Sequence, residues 1–248
     1  MSSQHIVILQ VEAATSNNEA TRFHRQNNLQ EAIQHYRIAL HKLTTAAAAT
    51  GESTQPSISP LNHCDFMSSQ LMSVTGNLSQ PLHINPSDVL DGKYTLSIES
   101  LIILYNLGLV SLRMGDMRKA VGFFESALCI LDGDAADIVP LATINATFVV
   151  SLYCNLGMAL YEIHENESEE EEALFMFTEA LRIGREYLGN HVILVAVLKV
   201  LGRVLLSRGN IGDAMMVFDD ASLIYNRVCI SQMMNSPDIL NSGGAPAA

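Results

Sequence analysis

Apolar residues recur every three or four positions along most of the chain, a spacing that predicts amphipathic helices. The clearest run consists of Leu104, Leu107, Leu112, Ala120, Phe124, Ala127 and Leu128. Gly115 and Asp116 interrupt this run, and they suit the end of one helix and the N-cap of the next. The pattern therefore predicts two helices joined by a tight turn.

This pattern is repeated along the sequence. In two copies an Ala follows a Gly by twelve positions and a Phe follows the Ala by four, while a third copy has four extra residues in its turn. The three copies are Gly108, Ala120 and Phe124; Gly157, Ala173 and Phe177; and Gly202, Ala214 and Phe218. A weaker copy lies upstream at Ala20, Ala32 and Tyr36. A single helical hairpin cannot bury its apolar face, so the repeats predict an all-α solenoid of four stacked hairpins.

The small, aromatic and turn positions resemble those of the tetratricopeptide repeat (TPR) family, which implies a right-handed superhelix of hairpins. Gly108 and Gly157 are 49 residues apart, against about 34 in the basic repeat. Such long repeats are similar to the kinesin light chain subgroup, as is the junction Tyr187-Leu188-Gly189-Asn190-His191. The resemblance covers about residues 5–48 and 96–232, although no repeat ends with the family's Pro.

The repeats divide the chain into segments. We predict hairpin 1 over 5–50, a flexible insertion over 51–95, hairpin 2 over 96–133, hairpin 3 with an acidic turn over 137–189, hairpin 4 over 190–233 and a disordered tail over 234–248. The insertion contains four of the seven Pro residues and shows no sustained period. A short β-hairpin around Thr75-Gly76-Asn77 is an alternative for part of it.

Composition excludes some classes of function. The net charge is −12 with only 14 Lys and Arg residues, which argues against a nucleic-acid binder because such proteins need a basic surface. The four Cys residues form no C-x-x-C pair, and the N-terminus lacks the basic region of a signal peptide, so we expect a cytoplasmic protein.

The hydropathy raises a membrane alternative. Mean hydropathy is +0.20. Residues 138–161 carry no formal charge, and this stretch is long enough to cross a bilayer. Because polar residues are scattered through this stretch, a buried helix of the repeat array is the preferred interpretation. A membrane-associated adaptor remains an alternative.

The sequence has no spacing typical of a catalytic or metal site. No phosphate-binding Gly-rich loop is present, and Pro140 interrupts the acidic stretch around Asp132 and Asp134 that superficially suggests calcium. We therefore predict no enzyme activity and no cofactor. An enzyme or its regulatory subunit remains the rival interpretation, which a buried polar cluster would favour.

The TPR resemblance implies a peptide-binding groove lined by the first helix of each hairpin. Asn106 and Asn155 lie two positions before their glycines, where kinesin-light-chain-like repeats use Asn to bond the backbone of an extended peptide. An amide can donate and accept at once, which suits that role. The alternative is that both side chains only satisfy polar groups between packed helices.

Basic side chains could add recognition of a carboxylate. Lys199 and Arg203 lie one helical turn apart, and Arg113 is at the outer end of its helix. The carboxylate clamp of co-chaperone repeats is only loosely similar, because Asn17 and Thr21 stand where it has Lys and Asn. We expect a protein or peptide partner.

Two further expectations concern the second half of the chain. Ser168 lies in the acidic stretch Glu165–Glu172 and is a candidate phosphorylation site, although that stretch is also typical of a solvated turn. The last hairpin has no polar capping helix, which solenoids normally need. Either Ile230, Met233 and Met234 shield its end, or another subunit does, as in a homo-oligomer.

Overall fold

The computed structural model describes residues 3–50, 78–135, 146–163 and 167–234. Within these ranges every regular element is a helix, which confirms the all-α prediction. The helices are α1 (Ser3–Arg25), α2 (Leu29–Thr50), α3 (Pro86–Leu90), α4 (Leu96–Arg113), α5 (Met117–Ala135), α6 (Ala146–Ile163), α7 (Glu167–Tyr187), α8 (Val192–Ser207) and α9 (Ile211–Met234).

Eight of these helices form four consecutive hairpins. The most extensive contacts are within the pairs α1 and α2, α4 and α5, α6 and α7, and α8 and α9. The second helix of each hairpin contacts the first helix of the next, and the first helices α1, α4, α6 and α8 contact one another in that order. The chain is therefore a helical repeat whose first helices share one face.

Three of the four hairpin turns have the same backbone geometry. Gly115, Gly209 and Asn27 have positive φ angles of 76°, 77° and 61°. Asn27 can replace glycine there because Asn tolerates the left-handed conformation better than most residues. In each turn the next amide donates to a carbonyl five residues earlier, as from Asp116 to Ser111 at 3.0 Å, which closes the preceding helix.

The repeated glycines allow close approach of the two helices within each hairpin. A Cβ atom built on Gly157 would lie 3.0 Å from the ring of Phe177, and one on Gly202 would lie 2.6 Å from Phe218. Phe124 occupies the same place against Gly108 and is fully buried. The Gly and the Phe of each repeat therefore contact each other within their hairpin.

We expect Gly108→Ala to lower the free energy of unfolding by about 1–3 kcal/mol, because the added methyl group overpacks the Phe124 ring. Gly122→Ala is the matched control, since Gly122 is helical and open space surrounds its Cβ position. That control should stabilise the chain by up to about 1 kcal/mol. Urea denaturation measures both, and equal effects at the two positions would contradict the assigned contact.

In the part of the chain that the structure describes, two helices are long and apolar enough, by length and composition, to cross a membrane. They are Leu96–Arg113 and Ala146–Ile163, and 61% and 72% of their residues are buried inside the fold. Burial against neighbouring helices accounts for their apolar character. Residues 138–145 of the uncharged stretch lie outside the described part of the chain.

The structure differs from the prediction of a flexible insertion over 51–95. Residues 78–85, which we call the extended segment, begin with a turn at Leu78 and Ser79, then cross the first helices without forming a helix or a strand, and α3 follows them. Asn85 caps α3 by accepting from the Ser87 amide, and Lys93 Nζ lies 2.7 Å from Asp88 Oδ1. Residues 51–77, which include the Thr75–Asn77 turn, and the tail from 235 onward lie outside the described residues.

The acidic stretch is also different from the predicted turn. Helix α7 begins at Glu167, so the acidic residues from there to Glu172 are helical. Glu170 Oε1 lies 3.1 Å from Arg208 Nε, in the turn of the last hairpin. This ion pair connects two neighbouring hairpins.

The outer side of the last hairpin exposes apolar side chains. Among the described residues of α9 these include Ile211, Met215, Met216, Leu223, Tyr225 and Ile230. Ile230 is 54% exposed, and the shielding of the helix end by Ile230, Met233 and Met234 together stays a prediction. The side chains of Met233 and Met234 lie outside the described part.

Candidate functional site

The site is the face that α1, α4, α6 and α8 share, which we call the groove. Leu78–Asn85 occupies the part of the groove formed by α1, α4 and α6. An open cleft follows where α4, α6 and α8 meet. Most of the buried polar side chains of the described residues lie on α1, α4 and α6.

Asn106 holds the middle of the extended segment. Its Oδ1 accepts from the Leu82 amide at 2.8 Å, and its Nδ2 donates to the Leu82 carbonyl at 2.8 Å. The same Nδ2 donates to Asn17 Oδ1 at 3.0 Å, and Asn17 Nδ2 also reaches the Leu82 carbonyl at 3.1 Å. Asn106 and Asn17 are fully buried, so water cannot replace these bonds.

Asn18 makes the same paired contact two residues further along the segment. Its Nδ2 donates to the Ile84 carbonyl at 2.6 Å, and its Oδ1 accepts from the Ile84 amide at 2.9 Å. Sequence reasoning missed this residue. The signal was present, because Asn18 lies two positions before Ala20, as Asn106 lies two before Gly108.

Asn155 and Tyr105 bind the beginning of the segment. Asn155 Nδ2 donates to the Leu78 carbonyl at 2.6 Å, and the Tyr105 hydroxyl donates to the same oxygen at 3.1 Å. Tyr105 packs edge-on against Phe148, with ring centroids 5.1 Å apart. The aromatic contact therefore fixes the ring that carries the hydroxyl group.

The predicted groove asparagines thus bond the main chain of an extended segment, and that segment belongs to the same chain. Asn106 and Asn155 therefore do more than satisfy polar groups between packed helices. Asn17 and Thr21, compared above with a carboxylate clamp, instead contact Leu82 and the ring of His83. Contact of the asparagines with a separate partner stays a prediction.

The open cleft has a volume of about 650 Å³. Leu109, Met158 and Val200 contribute apolar walls, and Arg113 and Arg203 both line it. Lys199 is not among the described residues that line the cleft, so Lys199 and Arg203 do not form the predicted pair there. Ser79 lies at the border where the extended segment meets the cleft.

Both arginines are exposed. Arg113 Nη1 also donates to the His24 carbonyl at 3.2 Å. Neither forms an ion pair with a carboxylate of the described residues, although Glu162 also lines the cleft. Two positive groups and one negative group therefore face this cleft, in a chain whose net charge is −12.

Two titratable side chains are buried beside the groove. Burial, with smaller contributions from Arg113 and Arg25, lowers the pKa of His24 to about 4. Burial raises the pKa of Glu99 to about 8, although a hydrogen bond from Gln10 opposes this. Neither side chain is exposed to solvent, so neither can reach a substrate in this conformation. Among the described residues, no group of three His, Cys, Asp or Glu could hold a metal ion.

Ser168 lies in the first turn of α7 and is exposed. A phosphate there would lie near the positive end of the helix dipole, which is a favourable position. The neighbouring carboxylates would oppose it. Modification of Ser168 stays a prediction.

Comparison with known proteins supports the repeat. Residues 103–137 match the family model described as tetratricopeptide repeat, which covers hairpin 2. No curated protein and no solved structure matches the chain. The subgroup resemblance to kinesin light chains has no support from these comparisons.

Proposed function

We propose that this chain is a non-catalytic adaptor, because residues 103–137 match the tetratricopeptide repeat, a module that suggests protein–protein interaction. It binds an extended peptide of a partner protein in the groove. The proposal includes a cytoplasmic location, which the cysteine pattern and the composition support. It also includes a partner that is a protein and not a nucleic acid or a membrane.

One observation carries this proposal. The groove already binds an extended main chain through side-chain amides, with Asn18 and Asn106 each bonding both the N–H and the C=O of one residue. Paired amide contacts of this kind do not depend on the side chains of the bound segment. The surface is therefore built to bind a peptide backbone.

The cleft adds a preference for the partner's side chains. Leu109, Met158 and Val200 can bury an apolar side chain, and methionine adapts to different shapes. Arg113 and Arg203 can bond a carboxylate in a planar, two-point geometry. We therefore expect a peptide that combines a large apolar residue with a neighbouring acidic residue.

Peptide display tests the proposal. The immobilised full chain is presented with a random peptide library, and the selected peptides are synthesised for fluorescence anisotropy. We expect Arg203→Glu to weaken their binding about tenfold, or roughly 1.4 kcal/mol. Lys199→Glu is the matched control, since it reverses a charge one helical turn away and outside the cleft.

The outcomes separate clearly. Selection of acidic and apolar peptides, with loss in Arg203→Glu and less than a twofold change in Lys199→Glu, supports the adaptor. Failure to select any peptide above the background of a blocked surface contradicts it. Equal losses in the two variants would mean that net charge, and not the cleft, determines binding.

The exposed side of α9 is a second contact surface in this proposal. Met215 and Met216 are 61% and 71% exposed, and a second copy of the chain is the predicted partner. Sedimentation equilibrium of the wild type and of Met216→Lys tests this. A monomer at all concentrations would rule out the homo-oligomer.

A further inference from the structure

Side chains of the first helices hold the extended segment by its main chain. The main-chain groups of Leu78, Leu82 and Ile84 all have such bonds. The side chains that make them are Asn17, Asn18, Asn106, Asn155 and Tyr105. The segment is thus bound to the groove in the way that a separate peptide would be.

Besides Pro81, three apolar side chains of the segment, at its first, fifth and seventh places, are buried in the groove. Leu78, Leu82 and Ile84 are 7%, 6% and 0% exposed, whereas His83 between the last two points to the surface. Pro81 precedes Leu82 and favours the extended conformation of its neighbours. The buried positions define a pattern of apolar residues at the first, fifth and seventh places of the segment.

The hairpins do not depend on the segment for their own contacts. Helix α2 packs directly on α4, and α1 also contacts α4, so hairpins 1 and 2 meet without it. The segment has neither a helix nor a strand of its own, and α3, which contacts α1, follows it directly. The direct contacts between helices do not run through the segment, although its apolar side chains belong to the same buried cluster.

We propose that Leu78–Asn85 is an internal occupant of the peptide site and that the partner is an extended peptide with the same apolar pattern, which competes with it. This inference rests on the proposed function and names the partner class. Because the backbone contacts are independent of sequence, the three apolar positions determine which peptides compete.

Covalent attachment favours the internal segment over an outside peptide in competition for the groove. Because the segment belongs to the same chain as the groove, its effective concentration at the groove is high. The apparent affinity for an outside peptide is its intrinsic affinity multiplied by the fraction of molecules in which the groove is empty. A change that loosens the segment must therefore increase binding of the outside peptide.

The test uses the full chain with Leu82→Asp and Ile84→Asp, which places two carboxylates in buried positions and weakens the internal segment. The probe is a fluorescein-labelled synthetic peptide with the sequence of residues 78–85 and blocked ends. We expect the variant to bind the probe at least tenfold more tightly than the wild type. Leu90→Asp is the matched control, because Leu90 is in the same insertion but 65% exposed, and it should bind like the wild type.

Two further measurements show that the probe occupies the groove. Adding Asn106→Ala to the variant should abolish the gain, and a probe with Asp at the positions of Leu82 and Ile84 should not bind. A folded variant, shown by its circular dichroism melt, that gains no affinity would overturn the inference. So would a wild type that binds the probe as tightly as the variant does.

If the double variant does not fold, Leu82→Ala and hydrogen exchange of the wild type decide the question. A detachable segment predicts faster exchange of the Leu82 and Ile84 amides than of Leu107 in α4. Exchange as slow as that of Leu107 would mean that the segment is a permanent part of the core. Cleft peptides that bind the wild type in an Arg203-dependent way would leave the adaptor function intact even then.

Discussion

We expect Asn106→Ala to lower the free energy of unfolding by about 2–4 kcal/mol. The substitution removes both hydrogen bonds to Leu82 and the bond to Asn17. The Leu82 amide is then buried without an acceptor, and an unsatisfied buried donor is costly. Urea denaturation followed by circular dichroism gives this free energy, and hydrogen exchange reports on the Leu82 amide.

Asn190→Ala is the control for this prediction. Asn190 is exposed in the turn before α8, so the same substitution there should change the free energy by no more than about 0.5 kcal/mol. The direct contact between Asn106 and Leu82 also predicts non-additivity. Adding Leu82→Asp to Asn106→Ala should therefore cost less than Leu82→Asp costs in the wild type. An Asn106→Ala variant as stable as the wild type would show that the segment does not contribute to the folded state.

The hairpins could be predicted from the sequence because their contacts are local. Gly108 and Phe124 lie sixteen positions apart in one hairpin, and the same spacing recurs in others. The positions of the turn glycines Gly115 and Gly209 could be predicted from the same repeated spacing. Because the same pattern recurs and each repeat contacts only its neighbours, the contacts within the hairpins can be predicted from positions in the sequence.

The occupant of the groove could not be predicted in this way. Leu78–Asn85 has no helical period and no repeat partner, and its contacts with Asn17 and Asn18 span more than sixty positions of sequence. Periodicity carries no information about such a pairing. The insertion's Pro content suggested a flexible connection, yet Pro81 suits an extended segment equally well.

The buried ionisable groups were also invisible in the sequence. Glu99 lies in the first turn of α4, where a carboxylate is normally a solvated partner of the helix dipole. Only the packing of α1 against α4 brings Gln10 within 2.9 Å of it and removes water. Its environment therefore depends on the tertiary fold and not on its neighbours in sequence.

We expect Glu99→Gln to stabilise the chain by about 4 kcal/mol at pH 7.5, because the penalty grows by about 1.4 kcal/mol for each pH unit above 4.5 until the pH approaches 8. Burial raises the pKa of Glu99 from 4.5 to about 8, so the folded state keeps a proton that the unfolded state releases. The wild type therefore loses stability as the pH rises from about 4.5 to 8. A neutral amide has no such penalty.

The pH dependence distinguishes this effect from a simple packing change. The gain from Glu99→Gln should be largely lost at pH 4.5, where Glu99 is protonated in the folded state and half protonated in the unfolded state. His24 has the opposite sign: burial lowers its pKa to about 4, so its contribution to stability is lost as the pH falls below 6.5. Denaturation between pH 7 and 8 therefore isolates Glu99. A gain of equal size at pH 4.5 and pH 7.5 would mean that the amide simply packs better against Gln10, and that Glu99 is not held protonated in the folded chain.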